Sequence, residues 1–101
     1  MAEEGPFDGT LTIEPNPPHV GQHRVVITLD GSDGALEGAD VMVHPWMPAH
    51  GHGTTDVEAL EEAPGVYVAE DVWLNMPGVW DLHVQVDAEQ AGELIATVEV
   101  P

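Results

Sequence analysis

The sequence predicts an all-β chain, an immunoglobulin-like β-sandwich of about seven short strands. Apolar and polar residues alternate over short stretches, and clusters of Gly, Pro and Asp separate these stretches at short intervals. No stretch keeps a sustained helical period. A chain of 101 residues has room for one core. We therefore expect a single domain over residues 1–101, with a flexible N-terminal segment over residues 1–9.

The first strands are predicted from alternation and from the turns that end them. Val25, Ile27 and Leu29 share one face of the second strand. The segment 30–34 (Asp-Gly-Ser-Asp-Gly) has turn chemistry and predicts a hairpin or connecting turn. It is not a calcium loop, because the twelfth position from its first Asp is Val41, where a bidentate Glu is needed.

The later strands follow the same rules, and the last two are the clearest. One has apolar residues at every second position from Trp80 to Val86, and the other from Leu94 to Val100. In order along the chain, the predicted strands are residues 10–13, 24–29, 39–43, 56–60, 66–69, 72–76, 80–86 and 94–100.

Charge and cysteine content exclude several classes of function. The chain has 19 acidic residues, one basic residue (Arg24) and a net charge of -18. Nucleic acid is excluded as a partner and an anionic membrane is disfavoured, since both need basic patches. There are no cysteines, which excludes disulfides, thiolate zinc sites and iron–sulfur clusters. A soft metal would need methionine as its sulfur ligand.

One short loop gathers metal-binding side chains. Met47, His50 and His52 lie within the stretch Met-Pro-Ala-His-Gly-His-Gly, where proline and glycines favour a tight bend. Met76, in Asn-Met-Pro-Gly, follows a later strand and is expected at the same end of the sandwich. Two thioethers and two imidazoles suit Cu(I) and tolerate Cu(II). Against this, methionine often fills gaps in a core, and His-x-His can be a plain polar loop.

The other histidines and the tryptophans are not predicted to be main metal ligands. His83 is expected to face solvent from its strand, and His44 to be an extra or supporting ligand of the loop. His19 and His23 offer at most a weak Cu(II) site. Trp46 lies beside the loop, whereas the other two tryptophans, Trp73 and Trp80, are expected to fill the core or cover one end.

Enzymatic activity is not expected. The few Ser and Thr residues form no nucleophile motif. A hydrolytic zinc site would need His50, His52 and an acidic residue from elsewhere, and the spacing names no third ligand. A metallohydrolase is therefore a minor alternative. The main alternative is an immunoglobulin-like structural or interaction module without a metal.

Four landmarks in order resemble the YtkA-like family, which is related to the FixH-like proteins, from about residue 21 to residue 100. They are Gly38-Ala39, Met47-Pro48-x-His50-Gly51-His52-Gly53, Pro64-Gly65-x-Tyr67 and Met76-Pro77-Gly78-x-Trp80. The resemblance implies an exported or membrane-tethered β-sandwich in a family tied to copper handling and oxidase assembly. It also implies the same four metal ligands as the residue types do, because the positions that match the family's motifs are Met47, His50, His52 and Met76. No membrane anchor of the FixH-like kind is seen in this sequence.

Residues and resemblance together predict a copper chaperone or buffer that holds Cu(I), with Cu(II) as a second state. The expected partners are copper itself and a protein that accepts or donates copper. We expect a monomer or weak dimer in the periplasm or outside the cell, lipid-tethered in its native form, although this chain shows no export signal.

Overall fold

The structure, a computed structural model, describes residues 8–31, 34–88 and 91–101. These residues form nine strands: β1 (Asp8–Glu14), β2 (Gly21–Gly31), β3 (Gly34–Ala35), β4 (Asp40–Met47), β5 (His52–Gly53), β6 (Val57–Ala63), β7 (Val66–Leu74), β8 (Gly78–Asp87) and β9 (Ala91–Val100). Seven of them are long and two have only two residues. The predicted all-β, immunoglobulin-like sandwich is confirmed. In the described ranges, no helix has the length and apolar character that crossing a membrane requires.

The strands pair antiparallel in the order β1-β2-β7-β6-β4-β8-β9, with β3 on β2 and β5 on β4. One sheet holds β1, β2, β3 and β7, and the other holds β4, β5, β8 and β9. The strand β6 belongs to both: residues 57–59 pair with β4, and residues 60–63 pair with β7. This shared strand joins the two layers along one side of the molecule.

The core lies between the layers and is built from the predicted alternation. Val25, Ile27 and Leu29 are fully buried from β2, and Trp80 is fully buried from β8, as predicted. The inward residues of β9 are half-buried until Val100, which is buried. The sandwich thus buries one face of most long strands, as antiparallel sheets commonly do, whereas residues 60–63 of β6 are exposed.

Several predicted boundaries differ from the structure, and two of these differences affect the candidate site. The third strand was expected to end at residue 43, but β4 continues to Met47, because inward apolar residues continue through a buried Pro45. Two strands expected at 66–69 and 72–76 are one strand, β7, which ends at Leu74. Its interruption in sequence is Asp71, which has a positive φ of 61° and lets the strand continue through a local distortion.

The predicted N-terminal segment and the predicted turn at 30–34 each lie partly outside the residues that the structure describes. Asp8 and Gly9, predicted as flexible, already belong to β1, and residues 1–7 lie outside the described part. The predicted turn at 30–34 is a hairpin in which Gly31 pairs with Gly34, while residues 32–33 lie outside the description.

The end of the sandwich where β4 begins is tied together by one tyrosine. The buried Tyr67 hydroxyl donates to the Leu36 carbonyl at 2.7 Å and accepts from the Ala39 N–H at 3.0 Å. Burial raises the pKa of Tyr67, so the phenol stays protonated as a donor. These bonds fix the connection between β3 and β4.

Candidate metal site at the β4–β5 hairpin

The loop rich in histidine and methionine is a tight hairpin between β4 and β5. Met47 and His52 are paired across it, and residues 48–51 make the turn. The Met47 carbonyl accepts from the N–H groups of His50 at 3.2 Å and Gly51 at 2.9 Å. Proline fits the second position of such a turn, and Gly51 supplies the positive φ of 63° that closes it. The bend expected from the sequence is present.

The glycine after the hairpin is needed for close approach. A Cβ atom on Gly53 would lie 2.1 Å from the Pro45 carbonyl oxygen and 3.1 Å from Cε3 of Trp46. No side chain fits there without moving the backbone of β4. The absence of a side chain at Gly53 therefore allows β5 to lie close to β4 and to the indole ring of Trp46.

Three of the four predicted ligands are connected by the hairpin. Directly paired residues of antiparallel strands have side chains on the same face, so Met47 and His52 are neighbours. The rings of His50 and His52 stack with centroids 5.6 Å apart and planes 28° apart. Met47 is only 1% exposed, His52 is half-buried and His50 is exposed. The cluster therefore runs from a buried thioether to an exposed imidazole.

The segment carrying Met76 packs against the same cluster. A Cβ atom on Gly78 would lie 2.8 Å from Met47 Cε, and Gly78 has a φ of 131°. Met76 is half-buried against the core, and its carbonyl accepts from Trp80 Nε1 at 3.0 Å. The Met-Pro-Gly segment thus touches Met47 two residues away from Met76. The structure brings the four predicted side chains to one end of the sandwich, with Met47 as its buried floor.

The donors at this hairpin are chemically soft. Thioethers are neutral and suit Cu(I), and imidazole accepts either copper oxidation state. Among residues 8–31, 34–88 and 91–101, no three His, Asp or Glu side chains surround a common point suited to a metal ion. The candidate donors at this end of the sandwich are instead the two imidazoles and one thioether of the hairpin, with a second thioether on the nearby Met76.

His23 has a structural role, contrary to the weak Cu(II) site considered for it. Its ring is 2% exposed, its Nδ1–H donates to the Gly21 carbonyl at 3.0 Å, and its Nε2 accepts from the His19 N–H at 3.2 Å. Burial lowers the pKa of His23 below 6.5. Neither ring nitrogen is free for a metal. The alternation that places the Val25 side chain inward also places the His23 side chain inward. This sequence pattern could have predicted the structural role of His23.

His44 lies on the opposite face from the hairpin cluster. It is two residues from Trp46 on the outward face of β4, and the two rings stack with centroids 5.7 Å apart. Met47 points inward from the same strand. His44 is therefore not placed to be an extra ligand of the hairpin. His83 faces away from the core, as predicted, and is half-buried.

Trp73 lies beside the hairpin, a position that was not predicted for it from the sequence. It is 49% exposed and does not fill the core. With Thr54, Thr55 and Asn75 it lines an open surface depression of about 580 Å³ beside the hairpin. The Thr54 hydroxyl donates to the Trp73 carbonyl at 2.6 Å and so ties this side of the hairpin to β7. The sequence pattern that could have predicted this exposed position is the alternation of Trp73 with its two apolar neighbours.

Comparisons with known proteins gave one finding. A family model described as YtkA-like matches residues 1–85, which extends from the N-terminus into β8. The match includes the hairpin and the Met-Pro-Gly segment, and it overlaps the predicted resemblance over residues 21–85. No curated protein and no solved structure matched the chain.

Proposed function

Because this chain belongs to the YtkA-like family, whose model covers residues 1–85 of its 101 residues, we propose that it is a copper-binding protein that holds Cu(I) at the β4–β5 hairpin. The proposed ligands are Met47, His50, His52 and Met76. The observation that carries the proposal is the contact of the Met-Pro-Gly segment with Met47, which is itself paired with His52. Two sequence-distant motifs with the same type of donor meet at one place.

The gradient of burial fits a site that takes up and releases its ion. The exposed ring of His50 is reachable from solvent, whereas the buried Met47 offers a sulfur shielded from water. Neutral thioethers do not compete with protons, while imidazoles must be deprotonated to bind. Cu(I) binding is therefore expected to weaken in acid and to persist through the thioethers.

We propose that the protein is a copper chaperone or buffer in the periplasm or outside the cell, with Cu(II) as a second bound state. Its partner would be a protein that accepts or donates copper, in oxidase assembly or copper resistance. An exposed imidazole at the hairpin and the exposed Trp73 beside it support transfer to a partner at this end of the molecule.

The proposal is tested by Cu(I) titration against a chromogenic chelator. Loss of an outer hydrogen-bond partner alone costs about 10–100-fold in metal affinity, so loss of a ligand is expected to cost at least about tenfold. Met47→Leu removes the sulfur and keeps most of the core volume. It is expected to lower Cu(I) affinity by at least that factor, and His50→Gln with His52→Gln to lower it further.

The matched control is Met42→Leu, the same change at a methionine that is 36% exposed on the outward face of β4. It is expected to leave Cu(I) affinity unchanged. Equal affinities of wild type, Met47→Leu and the double histidine variant would refute the copper site.

A structural module without a metal is the second candidate, and the burial of Met47 favours it. A methionine that is 1% exposed and packed against a glycine is also what a core gap-filler looks like. In that case Met47→Leu should change the melting temperature slightly, and wild type should bind no stoichiometric Cu(I). Stoichiometric Cu(I) binding that is weakened when the Met47 sulfur is removed would favour the copper-binding function over the structural module.

A further inference from the structure

The outward face of the second sheet carries a pair of imidazoles separate from the hairpin cluster. His44 on β4 and His83 on β8 are directly paired across the two strands. Their ring centroids are 6.0 Å apart and their planes are 56° apart. Both side chains are reachable by solvent, with 38% and 26% exposure.

A carboxylate contacts the same ring atom of each histidine. Asp56, which directly precedes β6, bonds Nδ1 of His44, and Glu93 of β9 bonds Nδ1 of His83 at 3.1 Å. The strands β6 and β9 lie on opposite sides of the central β4–β8 pair. Among the described residues, no protein atom forms a hydrogen bond with Nε2 of either ring. The two carboxylates thus occupy Nδ1 and leave Nε2 available.

This is the arrangement that metal-binding histidines commonly have. A carboxylate that accepts from one ring nitrogen fixes the tautomer and makes the other nitrogen a better donor. With metal–nitrogen bonds of about 2 Å and the ring centre roughly 1 Å behind the nitrogen, centroids of two imidazoles on one ion lie up to about 6 Å apart. The observed 6.0 Å falls within reach of a shared ion after small side-chain rotations.

We propose that His44 and His83 form a second metal site, which binds a divalent transition-metal ion that prefers imidazole, Cu²⁺ more tightly than Zn²⁺. Each histidine contributes Nε2, and water completes the coordination of an open site. Asp56 and Glu93 act as positioning residues through Nδ1. The net charge of -18 raises the local concentration of cations around this face.

The second site does not depend on the proposed function of the hairpin. His44 and Met47 extend from opposite faces of β4, so the two sites have the strand between them. The ligand types also differ, since the outward pair has only nitrogen donors and the hairpin has thioethers. Because the hairpin is also proposed to bind Cu(II), a Cu²⁺ titration reports on the outward pair alone only when the hairpin imidazoles are removed.

The experiment uses the full chain carrying His50→Gln and His52→Gln, so that imidazoles of the hairpin are removed. Cu²⁺ is titrated calorimetrically with glycine as a weak competitor, and pulsed EPR counts the coordinated imidazoles. The expected result is one Cu²⁺ bound with two imidazoles. Adding His44→Gln or His83→Gln should lower affinity at least about tenfold and leave one imidazole.

The matched control is His19→Gln, which removes an exposed imidazole at a distant position, and it should leave affinity and imidazole count unchanged. Glu93→Gln should lower affinity about tenfold while the count stays at two. Circular dichroism checks that each variant is folded. Unchanged Cu²⁺ affinity and imidazole signals in the folded His44→Gln/His83→Gln variant would overturn the proposal, whatever the hairpin binds.

Discussion

At the scale of single residues, burial separates side chains of the same type into different roles. His23 is a buried structural residue, whereas His50 is exposed at a hairpin tip. Met47 is buried and Met42 is exposed, although both belong to β4. Residue type and spacing identify the candidate donors, but only the packing of neighbouring strands decides which of them face water.

The buried His23 predicts a pH dependence of stability. Its pKa is lowered in the folded state, so between that value and the ordinary 6.5 the unfolded chain binds more protons than the folded one. Stability from this residue is present above pH 6.5 and is lost as the pH falls through the folded pKa. Urea unfolding of wild type and His23→Leu between pH 7.5 and 5.5 should show their stability difference shrinking in acid.

Met42→Leu is the control for this measurement, because it changes an exposed side chain that does not titrate and should leave the pH dependence as in wild type. If His23→Leu shows the same pH profile as wild type, the buried imidazole does not couple protonation to folding.

At the scale of strands and turns, the four sequence landmarks divide between the two ends of β4. Gly38-Ala39 and Pro64-Gly65-x-Tyr67 meet where β4 begins, and the Glu61 carboxylate bonds the N–H groups of both Gly38 and Gly65 there. The two methionine motifs meet where β4 ends, roughly 23 Å away along the strand. One end is therefore a structural junction, and the other is the candidate site.

Removal of the Tyr67 hydroxyl tests this division. Tyr67→Phe leaves the Ala39 N–H and the Leu36 carbonyl without their buried partner. The expected cost is about 1–3 kcal/mol in the free energy of unfolding, measured by urea titration, with Cu(I) affinity unchanged.

Thr97→Val is the matched control, since it removes an exposed hydroxyl that donates to Asp81 at 2.9 Å. It should change stability by no more than about 0.5 kcal/mol. A Tyr67→Phe protein as stable as this control, or one that loses Cu(I), would contradict the separation of the two ends.

Most strands could be predicted from alternation, and the exceptions have physical reasons. The sequence does not predict that β4 continues to Met47, because Pro45 lacks the N–H that sheet pairing uses. The sequence does not predict that β7 continues through Asp71 either, because the positive φ of that residue is not visible in the sequence. The four candidate donors, Met47, His50, His52 and Met76, were predicted from the sequence and remain a proposal, whereas the His44–His83 pair depends on the register between β4 and β8.

At the scale of the whole molecule, charge is the dominant feature. A net charge of -18 is distributed over a protein with a radius of gyration of 13.1 Å. Arg24, its only basic residue, donates to Glu70 at 3.1 Å and to Glu14 at 3.4 Å across neighbouring strands. Most carboxylates therefore repel one another over distances comparable to the Debye length of about 10 Å at 0.1 M salt.

This repulsion predicts that salt stabilises the fold. Raising NaCl from about 0.01 M to 0.5 M shortens the Debye length below the size of the molecule. The melting temperature should rise by about 4–8 °C for each kcal/mol of repulsion removed, followed by circular dichroism. Near the isoelectric pH of about 4.1 the same change should have much less effect. A melting temperature independent of salt at neutral pH would contradict this account.

The burial of Met47 has a further consequence, for resistance to oxidation. Conversion of a thioether to its sulfoxide requires contact between the sulfur and the oxidant, and it makes an apolar side chain polar. Met42, at 36% exposed, meets peroxide in solution, whereas Met47 lies at 1% beneath the hairpin. We therefore expect Met42 to be oxidised before Met47, the proposed copper ligand, which the fold shields from solvent.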